Sequence, residues 1–105
     1  MMIHADKCIE LGLPVPESYH NQETYVLMAI SLGYKIHTYA ARCIGIANLH
    51  SVVSTLKRKG YNFTQENKPV YCPQNKIVPP HSVVNVSMSS EQILFYRAKK
   101  SRQGN

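Results

Sequence analysis

The sequence predicts one α+β domain in which three helices precede a β-hairpin and a further C-terminal helix is possible. The first observation is a helical spacing of apolar residues over residues 21–58. The second is a change to alternating apolar and polar residues directly after Gly60. We therefore divide the chain into a leading segment (1–20), a central domain (21–88) and a C-terminal helix with a basic tail (89–105).

Charge is distributed unevenly along the chain. Residues 1–54 carry three Lys or Arg and four Asp or Glu. Residues 55–105 carry nine Lys or Arg and two Asp or Glu, so the positive net charge of +6 comes from the second half of the chain. A segregated basic surface favours a polyanionic partner, because each cation near a phosphate releases condensed counterions. The alternative is a solvated cationic face that only keeps the protein soluble.

Residue spacing gives no sign of a metal site, a cofactor or an enzyme. Cys8, Cys43 and Cys72 are far apart, and the five histidines supply no closely spaced ligand pair, so we expect reduced thiols and no metal. The six acidic residues form no close pair, and neither a glycine-rich phosphate loop nor a nucleophile with its base is present. The sequence therefore predicts a protein without catalytic activity.

Hydropathy argues against a membrane protein. The longest wholly apolar run, Tyr25–Ile30, is far too short to span a bilayer, and no basic stretch precedes an apolar one at the N-terminus. We expect a protein that has no membrane partner and is cytoplasmic or nucleoid-associated.

Start and stop signals place two helices before residue 45. Asn21 is a good N-cap for a helix that ends at Gly33, in which Val26, Leu27 and Ile30 share one face. A shorter helix is expected over Tyr39–Ile44, with Thr38 as its N-cap and Gly45 just past its end. The leading segment is expected to contain a brief helix over Ala5–Leu11.

The next helix is predicted to start after the N-cap Asn48 and to end at Gly60. At 100° per residue its apolar side chains form one stripe, which consists of Leu49, Val52, Val53 and Leu56. The opposite face carries short polar side chains and one arginine, namely His50, Ser51, Ser54, Thr55 and Arg58. Lys57 and Lys59 flank the stripe on its two sides.

After Gly60 the alternation predicts a strand, a turn at residues 67–69 and a returning strand over Val70–Cys72. A further strand is expected around residues 83–86. Ser89 and Gln92 form a capping-box pattern that favours a helix over Glu91–Lys100, although Ile93–Tyr96 would also suit a strand. The tail, residues 99–105, is predicted to be disordered.

Three helices followed by a hairpin, with a four-residue turn between two of the helices, is a winged helix-turn-helix arrangement. A helix can enter the DNA major groove only if its outer face carries side chains that are short enough for close approach and polar enough to pair with base edges. Lys68, at the predicted hairpin bend, would contact a phosphate or the minor groove. The predicted DNA-binding residues are Arg42, Asn48, His50, Ser51, Ser54, Thr55, Lys57, Arg58, Lys59 and Lys68.

Residues 21–72 resemble the small winged helix-turn-helix proteins of phages and other mobile elements. The resemblance is carried by Leu56-Lys57-Arg58-Lys59-Gly60-Tyr61-Asn62-Phe63, preceded by Ile44-Gly45-Ile46-Ala47-Asn48-Leu49. It implies binding of double-stranded DNA through the helix and the wing, for transcriptional regulation, excision or replication control.

Two alternatives stay open at the level of the sequence. Cations at a helix C-terminus also complement the helix dipole, and the outer serines and threonine could be ordinary surface residues. The domain could then be an interaction module that binds a protein.

If the domain binds DNA, its interface is small, so we expect a homodimer to supply the specificity. Ile93, Leu94 and Tyr96 are the candidate dimer contacts.

Overall fold

The computed structural model describes residues 3–18, 20–72, 76–78, 80 and 82–103, with the side chains of residues 100–103 excepted. In these ranges the chain forms five helices and three strands. They are α1 (Ala5–Glu10), α2 (Gln22–Ser31), β1 (Ile36–His37), α3 (Thr38–Cys43), α4 (Leu49–Arg58), β2 (Thr64–Lys68), β3 (Val83–Ser87) and α5 (Ser90–Gln103).

The three strands form one antiparallel sheet in the order β1-β3-β2. Ile36 of β1 lies opposite Val86 of β3, and Lys68 of β2 lies opposite Val83. β3 is the central strand, and its residues 84–86 are buried. The predicted α+β class is confirmed, and the arrangement is compatible with a winged-helix-like fold.

Two helices begin and end as their sequence signals predict. The Asn21 side chain accepts a hydrogen bond from the backbone N–H of Thr24 at 2.8 Å, and the Thr24 hydroxyl oxygen accepts one from the backbone N–H of Asn21, also at 2.8 Å. This reciprocal pair satisfies two backbone donors at the start of α2. Asn48 Oδ1 caps α4 by accepting one hydrogen bond from the backbone N–H of Ser51 at 3.2 Å. Gly60, with φ of 84°, takes the left-handed conformation that ends α4.

One hydrophobic core joins the helices to the sheet. It consists of Ile3, Cys8, Tyr25, Val26, Leu27, Ala29, Ile30, Ile36, Ala41, Ile44, Ile46, Leu49, Val52, Val53, Leu56, Val84, Val86 and Met88. The leading segment shares this core, because Cys8 is fully buried and the Tyr25 hydroxyl donates a hydrogen bond to the carbonyl oxygen of Pro14 at 2.6 Å. All four residues of the apolar stripe predicted for α4 are buried.

The predicted N-cap of α3 is wrong. Thr38 is the first helical residue, and His37 is the cap, with its Nδ1 atom accepting a hydrogen bond from the backbone N–H of Ala40 at 3.2 Å. The sheet decides this boundary, because His37 is the last residue of β1 and pairs with Asn85. Strand and helix therefore follow each other without a linker.

The predicted returning strand is also wrong. β2 pairs with β3, whereas Cys72 in the predicted strand forms an isolated bridge with Ile77. Pro69 has no N–H to donate to a ladder, and β3 supplies the buried valines that a central strand needs. Lys68 is consequently the last residue of β2 and does not lie in a tight bend.

The C-terminal helix is confirmed, since α5 covers the predicted span 91–100. The Ser89 hydroxyl oxygen accepts from the backbone N–H of Gln92 at 3.2 Å, and Gln92 Oε1 accepts from the backbone N–H of Ser89 at 2.9 Å. The helix continues to Gln103, so the predicted disorder is wrong for residues 99–103, and residues 104 and 105 lie outside the described ranges. Among the helices described, none has the length and apolar character to cross a membrane.

Candidate nucleic-acid interface

The outer face of α4 is exposed, and it carries the short polar side chains that the sequence placed there. His50, Ser51, Ser54 and Arg58 are exposed, and Thr55 is half-buried. Directly behind them, Val52 and Val53 are buried in the core. The helix therefore presents its polar face to solvent on a rigid support.

A short chain of hydrogen bonds runs along this face. Asn48 Oδ1 accepts from the backbone N–H of Ser51 at 3.2 Å, the Thr55 hydroxyl donates to the Ser51 carbonyl oxygen at 3.0 Å, and Arg58 Nη2 donates to Thr55 Oγ1 at 3.2 Å. The Ser51 and Ser54 hydroxyls form no hydrogen bond within the described part of the chain. They remain able to bond an external group.

A groove of about 350 Å³ separates this face from the N-terminal turn of α2. Its lining residues are Asn21, Gln22, Glu23, Ser51, Val52 and Thr55. All but Val52 bring a polar side chain to the groove, so it is an extension of the polar face of α4. The sequence did not predict the part that α2 contributes, because nothing local to residues 21–23 signals which helix will lie beside them.

Lys59 forms an ion pair with Glu23, which lines that groove. Its Nζ atom lies 2.7 Å from Glu23 Oε2, and the hydrogen bond and the charge of the carboxylate raise the pKa of Lys59. The sequence identified Glu23 only as an anion in the first turn of its helix. Its role beside a candidate DNA-binding residue depends on the packing of α2 on α4.

Lys57 lies on the other flank of α4. It lines a second groove, of about 360 Å³, between the end of α4 and the start of α5. The other lining residues are Tyr61, Asn62, Phe63, Glu91, Gln92 and Phe95. The sequence had placed Lys57 and Lys59 on opposite sides of the buried stripe, and their neighbours confirm this.

Arg42 and Lys68 lie on other elements. Arg42 is exposed in the last turn of α3, and Lys68 Nζ is 3.6 Å from Glu66 Oε2 within β2. Among the described residues no hydrogen bond or ion pair connects either cation to α4. That Arg42 and Lys68 lie on the same surface as the polar face of α4 therefore stays a prediction.

The three candidate dimer contacts do not share one environment. Ile93 and Tyr96 pack against the chain's own core, and burial raises the pKa of the Tyr96 hydroxyl. Leu94 is 68% exposed, and the neighbouring Phe95, which the sequence analysis did not single out, is 53% exposed. The helical period could have found Phe95, because Leu94 and Phe95 lie opposite Ile93 and Tyr96 at 100° per residue.

Within the described ranges no three His, Cys, Asp or Glu side chains come together as metal ligands would. Comparisons of this chain with protein families, with curated proteins and with solved structures found no match. The geometry of the chain itself is therefore the basis of the proposals below.

Proposed function

We propose that this chain is a winged helix-turn-helix protein that binds double-stranded DNA sequence-specifically through α4. In this proposal it is not an enzyme and acts as a transcriptional regulator or as a recombination or replication accessory factor of a mobile element. The cytoplasm or the nucleoid is its proposed location. The observation that supports the proposal best is the exposed polar face of α4, whose serine hydroxyls bond to none of the described residues and which carries cations at its C-terminal end.

Side-chain size supports a groove-facing helix. Ser51 and Ser54 are short, so the backbone of α4 can approach base edges closely, and hydroxyls can donate to or accept from either kind of base group. His50 and Arg58 extend this face at its two ends, where Arg58 can form a bidentate contact with guanine. With this arrangement, a few polar side chains of α4 would recognise base edges directly.

Cations around this face supply the sequence-independent part of the binding. Lys57 and Lys59 flank α4, and Arg42 and Lys68 are proposed to meet phosphates on either side of the groove that α4 enters. The β2–β3 pair takes the place of the wing, with Lys68 and Val83 paired at its far end. Two copies on adjacent half-sites would supply the specificity that one small domain lacks.

A second candidate function is a protein-interaction module. Two adjacent pairs of exposed apolar side chains favour it, Ile77 with Val78 and Leu94 with Phe95, because exposed apolar surface larger than a single residue indicates contact with another protein. The face of α4 carries few charges, which also suits a protein surface.

Binding to duplex DNA separates the two functions. Bound sequences are first selected from random duplexes, and the affinity for the selected site is then measured by fluorescence anisotropy over a series of salt concentrations. We expect Arg58→Ala to weaken binding to the selected site and to relax its base specificity, because it loses the proposed guanine contact. We expect Lys68→Ala to weaken binding and to reduce the salt slope by about 1, because it loses one phosphate contact. Lys7→Ala, in which an exposed cation of α1 is removed, is the matched control.

Thermal unfolding checks that these variants remain folded. Arg58→Ala and Lys68→Ala should unfold at the wild-type temperature. Leu56→Ala should lose about 2–5 kcal/mol of unfolding free energy and unfold at a lower temperature, since Leu56 is only 1% exposed. If no duplex is selected, or if Arg58→Ala and Lys68→Ala bind as tightly as the wild type, the DNA-binding proposal is wrong.

A further inference from the structure

Helix α5 has two different faces. Ile93 and Tyr96 pack against the core of their own chain, so one face is accounted for. At 100° per residue, four other side chains fall within about 100° of one another on the opposite side. These are Glu91, Leu94, Phe95 and Ala98, all exposed, and we call them the outer face of α5.

The outer face combines a large apolar pair with a small residue. Leu94 is 68% and Phe95 53% exposed, and Ala98 follows them one turn later. Adjacent exposed apolar side chains of this size favour a protein partner, because contact would remove them from water. The small Ala98 would let another helix approach closely.

The charges along α5 favour a second copy of the same helix as that partner. The described side chains place Glu91 in the first turn and Arg97 and Lys99 in the second half. In an antiparallel pair, Glu91 of each copy lies beside Lys99 in the cationic half of the other. The two-fold axis then passes by position 95, so the two Phe95 side chains meet there and Leu94 lies near Ala98 of the other copy. A parallel pair would instead place cations against cations and Glu91 against Glu91.

We propose that the outer face of α5 is a homodimer interface, in which two α5 helices pack antiparallel with their apolar residues at the centre and Glu91–Lys99 pairs at both ends. The interface is isologous, as a two-fold dimer requires. It differs from the contact expected from the sequence, because Ile93 and Tyr96 support the helix from its own core and Leu94 and Phe95 make the contact.

The interface is small. A helix of 14 residues is about 21 Å long, and one such pair buries less area than a standard interface. Self-association of the free protein is therefore weak, and DNA strengthens it when two copies occupy neighbouring half-sites, because their effective concentration rises. Only this strengthening depends on the proposed function, so the test below is done without DNA.

Sedimentation equilibrium of the full chain, up to its solubility limit, measures the self-association. We expect a monomer–dimer equilibrium for the wild type and a dissociation constant at least about tenfold higher for Leu94→Glu and Phe95→Glu, since each places a charge in the apolar centre. Ile9→Glu, which changes an exposed apolar residue of α1, is the matched control and should associate like the wild type.

Exchange of the charges tests the antiparallel arrangement. Glu91→Lys and Lys99→Glu should each dimerise more weakly than the wild type, because like charges then meet at both ends of the pair. A mixture of the two variants should form a heterodimer of about wild-type affinity, since both ends then regain opposite charges. A mixture that associates much more tightly than the wild type would contradict the antiparallel arrangement, because in a parallel pair the mixture gains opposite charges that the wild type lacks. The double variant carrying Glu91→Lys and Lys99→Glu should again form a homodimer.

Each outcome bears on the proposal. A wild type that stays monomeric, or a mixture that associates no better than its components, overturns it. DNA binding by a monomeric wild type would leave the proposed function intact while the dimer proposal fails. Dimerisation without DNA binding would support the dimer proposal and contradict the proposed function.

Discussion

Lys59 Nζ at the end of α4 lies 2.7 Å from Glu23 Oε2 in the first turn of α2, although the two residues are 36 positions apart in the sequence. The pair connects the two helices that form the groove beside the candidate DNA-binding face. Glu23 is 30% exposed and Lys59 55% exposed at their side chains, so water screens the attraction and the pair adds little to stability. Its main effect is to hold the positive charge of Lys59 beside Glu23, so that this charge is less available to a phosphate.

Removal of this carboxylate should strengthen DNA binding. In Glu23→Gln, Lys59 loses its internal partner and becomes free to meet a phosphate, and an anion beside the groove disappears. We expect an affinity gain of about two- to fivefold, in line with the modest strength of exposed ion pairs, and a change in unfolding free energy within about 0.5 kcal/mol. Anisotropy titrations at fixed salt and urea unfolding measure the two quantities.

Glu10→Gln is the control for that change, because Glu10 pairs with Lys7 within α1 and lines neither of the two grooves beside α4. It should leave the affinity unchanged. Weaker binding by Glu23→Gln would contradict the prediction and would mean that Glu23 positions Lys59 for its contact.

Glutamates at positions 51 and 54 should separate binding from folding. Ser51→Glu places an acid at the third position of α4, where the helix dipole favours it, and Ser54→Glu creates an i,i+4 pair with Arg58. The double variant should therefore be at least as stable as the wild type while losing at least about tenfold in DNA affinity, since its anions face phosphates and base acceptors.

A matched double variant, Ser51→Gln with Ser54→Gln, has the same side-chain length without the charge. It should bind DNA more tightly than the glutamate variant. Equal affinity of the two variants in the same titration would mean that this face is not next to DNA.

Asn48 has a structural role that can be separated from a contact with DNA. Its Oδ1 atom caps α4 through the backbone N–H of Ser51, so Asn48→Ala should lose about 0.5–2 kcal/mol of unfolding free energy. Asn48→Asp keeps the cap and should unfold like the wild type in urea. If Asn48 also lies near phosphates, Asn48→Asp should bind DNA more weakly, and wild-type affinity for this variant would restrict Asn48 to capping.

His37 should make stability depend on pH. Burial lowers the pKa of His37 from its usual value, and its Nδ1 atom can accept the hydrogen bond from Ala40 only while unprotonated. The unfolded chain therefore binds more protons near the ordinary histidine pKa, so stability rises with pH there. The contribution is complete above about pH 6.5 and is lost as the pH falls towards the lower pKa of the folded state.

Urea unfolding at about pH 7.5 and about pH 5.5 measures this effect. His37→Asn supplies a cap that does not titrate, and its stability should fall less between the two values than that of the wild type. His50→Asn, at an exposed position, should keep the wild-type pH dependence. An unchanged pH dependence in His37→Asn would show that other groups cause the loss.

The candidate site could be predicted only in part. The face and stripe of α4 follow from the period of one helix, and the structure confirms their burial and exposure. The partner of Lys59 could not be predicted in the same way. It depends on which other helix packs alongside α4, and that choice is made by contacts between distant residues.

The sequence by itself determined the helix boundaries whose signals are local. Asn21, Asn48 and the Ser89–Gln92 pair supply the hydrogen bonds at helix starts, and Gly60 supplies the backbone conformation at a helix end. These interactions connect residues at most a few positions apart, so their chemistry is visible in the order of residues.

Only the tertiary structure decided the strand pairing and the cap of α3. β2 pairs with β3 and not with the nearby residues 70–72, because that pairing buries Val84 and Val86 in the common core. His37 replaces Thr38 as the cap because its backbone belongs to the sheet. Strand pairing gains its free energy from burial shared across the whole domain, and no local pattern specifies which strands will share it.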